Sequence, residues 1–229
     1  EPRAAADPEI RSLLAVAYES MGDYTAAARV VAQGPQDMRT WGMRASLLAR
    51  AQGHDALQAL YAELSAGDRG QPDPSRRMLL GRMAEFLKRP AEAVDWYRGV
   101  AGGPEREEAR IRIAVALYEL GRIEQAYAEA HALQNDADSD GDARRNAYLL
   151  EGELRQRGGD AAGEIEALDR GLAAWPDDSA LLYARALAWE RQDRIDRAEA
   201  DLRKLLVSEP DNVAALNALG YTLADRTQR

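Results

Sequence analysis

Residues 209–220 read EPDNVAALNALG, and residues 175–186 read WPDDSALLYARA, 34 positions earlier. Both stretches run proline, acid, polar residue, then an apolar segment with helical spacing. Proline cannot continue a helix, so it closes the helix before it. Asp or Asn just before the apolar run supplies the N-cap of the next helix. One such stretch marks a helix boundary. The same stretch at a fixed interval marks a repeated structural unit.

Aligning the chain on this step brings out further columns. Leu80-Gly81 repeats the pair Leu219-Gly220, and YESMGDYTAAARVV (18–31) parallels LYELGRIEQAYAEA (117–130). Small residues recur where two helices of a unit cross: Gly81, Ala114, Gly152, Ala186 and Gly220 on first helices, and Ala27, Ala93, Ala126 and Ala198 on second helices. Large residues fill the spaces between them: Tyr18, Leu117 and Trp189, with Tyr97 and Leu202 on second helices. Ile195, Ala198, Leu202, Leu205 and Leu206 share one helical face. One helix pair cannot bury its own apolar face, so neighbours must stack.

These columns resemble the tetratricopeptide repeat (TPR), a 34-residue helix–turn–helix unit. The registers begin near Pro8, Met38, Pro74, Glu107, Arg145, Ser179 and Val213, covering nearly the whole chain. The expected fold is all-α: a right-handed superhelical solenoid of TPR helix pairs, about six repeats plus one extra helix, in a single domain spanning 1–229. The second repeat departs from the pattern. GHDALQALYAEL (53–64) falls about two residues short between its glycine and its alanine column, which predicts a tighter turn. SAGDRGQPDPS (65–75) reads as a longer connector, and a mild hinge there is a second reading. LGYTLADRTQR is one helix into a seventh unit, so continuation past Arg229 is expected. An uncovered last helix, with Leu216, Leu219 and Leu223, is open to self-association.

Composition narrows the chemistry. The net charge is −9, the wrong sign for releasing counterions from phosphates, so no nucleic-acid partner is expected. Cysteine is absent, which excludes disulfides, zinc–thiolate sites and thiol catalysis. No apolar run approaches the roughly 18 residues of a membrane span. The two histidines, His54 and His131, have no metal-ligand spacing, and neither a GxSxG elbow nor a Walker loop is present. No enzymatic activity and no cofactor are expected. DADSDGDA (136–143) matches the start of an EF-hand loop at Asp136, Asp138, Asp140 and Gly141. Ala147 stands where the bidentate Glu belongs, however, and Arg144 brings positive charge to the ninth position. The two readings are a weak calcium loop and a polar insertion whose Asp caps the next helix.

The TPR resemblance implies a site. In TPR arrays the first helix of each unit lines a concave groove that takes peptides or partner helices. The matching positions include Glu9, Ser12 and Glu19, then Arg39, Ser46 and Arg50, then Met78, Arg82 and Glu85. Further on come Ile111, Val115 and Tyr118, then Asn146, Leu149, Glu153 and Arg157, then Tyr183, Leu187, Glu190, Asn217 and Tyr221. The partner-binding set expected from these is Arg39, Arg50, Arg82, Tyr118, Asn146, Arg157, Tyr183, Asn217 and Tyr221, since tyrosine and arginine dominate binding hot spots. The Lys and Asn pair with which co-chaperone TPRs hold a peptide carboxylate is missing; Tyr183 and Leu187 stand there in the sixth unit. SEPDNVAALNALGYTLADRTQR (208–229) is similar to a segment of TPR lipoproteins of the Gram-negative outer membrane. One such family contains the adaptor that activates a periplasmic carboxyl-terminal processing protease. That likeness implies a protein-binding adaptor in the periplasm; the alternative is a cytoplasmic assembly or regulatory protein of a secretion or pilus machine.

Overall fold

A computed structural model describes residues 7–66 and 73–227, with side chains described as far as residue 224. Among the described residues there are thirteen α-helices and no strand. The chain divides into two compact units, Glu1–Leu120 and Gly121–Arg229. The first holds α1 (Pro8–Ser20), α2 (Tyr24–Ala32), α3 (Met38–Arg50), α4 (His54–Ala66), α5 (Pro74–Phe86), α6 (Pro90–Arg98) and α7 (Arg106–Glu119). The second holds α8 (Ile123–Gln134), α9 (Gly141–Arg157), α10 (Ala161–Ala174), α11 (Ser179–Arg191), α12 (Ile195–Ser208) and α13 (Val213–Thr227). Five of the seven expected registers begin on the residue named from sequence. The fourth begins one residue early, at Arg106, and the fifth four residues early, at Gly141.

The helix starts follow from side-chain chemistry. Asp7, Asp23, Asp37, Asp140, Asp160 and Asp178 each accept a hydrogen bond from a backbone N–H in the first turn of the next helix, and Asn212 accepts from Ala215 N. These bonds satisfy donors that the helix itself leaves open. Asp37 and Thr40 cap each other reciprocally. The fifth register is early because Asp140 caps α9 through Ala143 N at 2.7 Å.

The turns inside the helix pairs share one design. Three residues separate α1 from α2, α3 from α4, α5 from α6, α9 from α10 and α11 from α12. The middle residue is left-handed every time: Gly22, Gln52, Lys88, Gly159 and Asp193, with φ between 52° and 78°. The next N–H then reaches back five residues, as in Asp23 N to Tyr18 O (2.9 Å), Gly53 N to Leu48 O (3.0 Å) and Arg194 N to Trp189 O (2.8 Å). This is the Schellman closure of a helix end.

That common turn corrects the expectation for the second repeat. Its turn is no tighter than the others. The left-handed residue is Gln52 rather than Gly53, and five positions on stands Leu57, where Ala27, Ala93, Ala126 and Ala198 stand in their units. The repeat looked short because its small-residue column carries a leucine, 3% exposed. Of the connector at 65–75, residues 67–72 lie outside the described residues.

The cores bear out the column reading. Ala27, Ala93, Ala126 and Ala198 are fully buried, as are Ala114, Leu80, Leu117, Leu181 and Leu202 to within 1%. The small positions are seats for large ones. A Cβ on Gly81 would stand 2.3 Å from the Tyr97 ring, and one on Gly152 would stand 3.3 Å from Leu168. In both pairs the large residue follows the glycine by 16 positions, and Ala186 and Leu202, both buried, keep the same interval. In the second unit Leu168, Leu172, Leu181, Leu182, Trp189 and Leu205 form one apolar cluster.

Candidate functional site

In the first unit the first helices of successive pairs enclose two open grooves. One, of about 390 Å³, lies between α1 and α3. Val16, 63% exposed, and Met43, 43% exposed, supply apolar walls, with Arg39, Ser12 and Glu19 at the rim. Arg50 joins the two helices. Its guanidinium pairs with Glu19, lies 4.1 Å from the Tyr24 ring centroid and donates to the Tyr24 hydroxyl at 3.0 Å.

The other groove, of about 540 Å³, lies between α5 and α7. One wall is apolar, built from Phe86, Ile111 and Val115; the other is a chain of alternating charges. Arg82 Nη2 donates to both oxygens of Glu108 at 2.8 Å. Arg112 donates from Nε to Glu108 and from Nη1 to Glu85, each at 2.8 Å. Burial pushes the Glu108 carboxyl up, but Arg112 and Arg82 outweigh it and hold the group below its ordinary value. At Glu85 burial wins over Arg112, and the carboxyl is raised. Phe86, the only phenylalanine, is 57% exposed and stands on the rim of this groove and of a smaller pocket lined by Leu48, His54 and Leu57.

In the second unit a notch of about 200 Å³ lies between α9 and α11. Leu149, Leu168, Leu187 and Tyr183 form its apolar surface, and Glu153 and the Arg191–Glu164 ion pair form its polar edge. Beneath α9 the carboxylate of Glu151 is fully buried and surrounded by donors. Gln134 Nε2 reaches it at 2.8 Å, Arg170 Nη2 at 2.6 Å, Arg155 Nη2 at 3.2 Å, and His131 Nε2 stands 2.9 Å away. Burial raises the carboxyl, but Gln134, His131 and the Arg170 charge together hold it below its ordinary value.

The residues expected from sequence fall into three groups. Arg39 and Tyr183 line a groove, and Tyr183 shares its notch with Leu149, Glu153 and Leu187, three further positions inferred from the resemblance. Arg50, Arg82 and Arg157 are engaged in ion pairs within the chain, the last with Glu153 at 2.5 Å. Asn146 is exposed and accepts from Arg145 Nη2 at 3.2 Å, Tyr118 is half-buried on α7, and Asn217 and Tyr221 are exposed on α13. Met78 does not face a groove: it is 2% exposed and belongs to the core of the first unit. Phe86, Val16 and Met43 were missed. Their helical positions were legible in the sequence, but their exposure depends on which neighbouring helix covers them.

The loop at 136–143 uses its carboxylates locally. Asp136 accepts from Asp138 N at 3.0 Å and from Ser139 Oγ at 3.2 Å, while Asp140 caps α9. Among the described residues no group of three or more His, Cys, Asp or Glu side chains is placed to hold an ion. Nor is any described helix long and apolar enough to cross a membrane.

No protein-family model matches the chain. A TPR repeat-containing protein of Pseudomonas aeruginosa is 38% identical over 150 residues, which are 66% of this chain and 25% of that protein. The chain thus spans about a quarter of the length of this curated relative. Among solved structures, a tetratricopeptide repeat protein from Parabacteroides merdae matches with a TM-score of 0.56 and 14% identity, over 97% of this chain and 93% of the other. PilW, a type IV pilus biogenesis factor, matches with a TM-score of 0.54 and 15% identity, over 92% of this chain and 97% of the other. At such identities the likeness is one of fold. With the 34-residue step, the recurring Schellman turn and the seated glycine columns, these likenesses show a fold of stacked tetratricopeptide-repeat helix pairs.

Proposed function

We propose that the chain is a non-catalytic scaffold or adaptor that holds a peptide or partner protein in the grooves between its first helices. The observation that carries this reading is Phe86. A single phenylalanine left 57% exposed between two grooves is costly for the free chain and useful for a bound one. The facing wall carries charges already paired with one another, so an apolar side chain entering beside Phe86 and Val115 meets no unpaired charge there. The segment 208–229 supports the finer reading, an envelope adaptor for a processing protease.

The test is affinity capture from separate envelope and cytosol fractions, with wild-type chain and Phe86→Ala side by side, and then titration of any captured partner. Phe86→Ala is expected to cost about 1–2 kcal/mol, roughly tenfold in affinity. A processing protease recovered from the envelope and lost with Phe86→Ala supports the adaptor. A subunit of an assembly machine recovered from the cytosol, and lost in the same way, supports the alternative location. A partner held equally by both chains and released by Tyr183→Ala moves the site to the second unit. A partner indifferent to both variants overturns the groove reading.

A further inference from the structure

Phe86 and Lys88 line two openings of the first unit at once. One is the groove between α5 and α7. The other is the smaller cleft, of about 300 Å³, where the α3–α4 turn meets the end of α5. Leu48 and Leu57, both buried, give this cleft its apolar surface. Gln52 and His54 come to it from the turn and the start of α4. The three openings described above all carry carboxylates: Glu19, then Glu85 with Glu108, then Glu153 with Glu164. Among the described residues no carboxylate lines this cleft. Its lysine is also uncommitted. The chain has two lysines. Lys204 stands 3.1 Å from Asp177 and donates to the Pro176 carbonyl at 2.6 Å. Lys88 is exposed, and among the described residues no carboxylate pairs with it. Its position is fixed all the same, because the turn that carries it is closed by Arg89 N on Ala84 O at 2.9 Å.

We infer that this cleft reads an acidic side chain of the bound partner. The segment it fits places a carboxylate at Lys88 and an adjoining apolar side chain against Phe86, Leu48 and Leu57. The inference rests on the groove reading above and adds the partner's chemistry to it. A net charge of −9 works against the docking of an acidic segment, so such a segment is held best where a cation is free and carboxylates are absent. The cleft meets the groove at Phe86 and Lys88, so a bound segment runs past Lys88 and does not end there. The acid is therefore a side chain within the segment. On the groove side Glu85 and Glu108 are taken by Arg112 and Arg82. Glu119 stands exposed on α7 across that groove and disfavours a second acid beyond Phe86.

The test is selection of random linear peptides displayed on phage, with the 229-residue chain and its Lys88→Gln, Lys88→Glu and Phe86→Ala variants as parallel targets. Peptides joined to the coat protein through their C-terminal end present no terminal carboxylate, so any acid they select is a side chain. The turn accepts both replacements of Lys88, since Gln52 (φ 52°) and Asp193 (φ 58°) hold the same place in their own pairs. The wild-type chain is expected to select Asp or Glu beside an apolar residue, and Lys88→Glu to select Lys or Arg in that place. A selected peptide, titrated by fluorescence anisotropy, is expected to bind Lys88→Gln about two- to fivefold more weakly. That difference should shrink as salt is raised. The same peptide should bind Phe86→Ala roughly tenfold more weakly. Replacing the peptide's acid by its amide should reproduce the Lys88→Gln loss on the wild-type chain and add nothing on Lys88→Gln. Peptides that need Phe86 but carry no acid, or bind Lys88→Gln as well as wild type, overturn this inference and leave the groove reading standing. A selection that yields no peptide dependent on Phe86 overturns both.

Discussion

Lys88 is the left-handed residue of the turn between α5 and α6, at φ 59°, the position that Gly159 fills at φ 74° between α9 and α10. An L side chain held there costs about 1–2 kcal/mol, because its Cβ crowds the following carbonyl. Glycine avoids that cost but gives back about 0.5–1 kcal/mol through the extra freedom of the unfolded chain. Replacing Lys88 by Gly should therefore stabilise the first unit by roughly 0.5–1 kcal/mol, about 1–4 °C in a melt of a chain this size. The reverse substitution, Gly159→Ala, should cost the second unit about 1 kcal/mol. A Cβ there meets nothing within 4 Å, so no packing loss or gain enters the comparison. Stacked repeats need not unfold in one step, so the assay is the urea midpoint together with hydrogen exchange of α5–α6 and α9–α10. Opposite signs at the two sites are the expected result. A lower midpoint for Lys88→Gly, or a neutral Gly159→Ala, would refute the claim that one turn geometry is imposed on every pair.

The cores give two further expected outcomes. Glu151→Ala leaves Gln134 and Arg170 facing a buried gap; with Arg170 and Arg155 partly in solvent, the loss should be about 2–4 kcal/mol, read by urea unfolding. Because the folded Glu151 carboxyl sits below its ordinary value, its contribution is complete above the unfolded value near 4.5 and disappears as pH falls through the folded value; acid titration of Glu151→Gln should show a flatter acid limb, and an unchanged limb would remove Glu151 from that role. Gly81→Ala drives a methyl into the Tyr97 ring and should cost about 1–3 kcal/mol; an unchanged urea midpoint would contradict the tight seat.

Much of the fold was legible before any coordinates. Capping by Asp and Asn and closure by Pro act over three or four residues, and the small-residue columns recur at the interval of the repeat. Local chemistry and period therefore located Pro8, Met38, Pro74, Ser179 and Val213 as helix starts. The errors arose where a residue's type departed from its geometry. Gln52 adopts the left-handed conformation that glycine marks elsewhere, and Leu57 occupies an alanine column, so the second repeat read as short.

The candidate site was less legible, because exposure belongs to pairs of helices and not to one. Met78 and Phe86 lie two turns apart on α5, yet the first is buried in the core and the second stands open between two grooves. Arg50 and Arg82 look free in the sequence, and each meets a carboxylate that folding brings beside it from another helix. Sequence alone determined the repeat, most of the helix starts and the columns of small residues, since those depend on short-range sterics and hydrogen bonds repeated along the chain. Only the tertiary structure decided which charges on different helices cancel and which apolar side chains stay in solvent, because each depends on a neighbouring helix that either covers the position or does not.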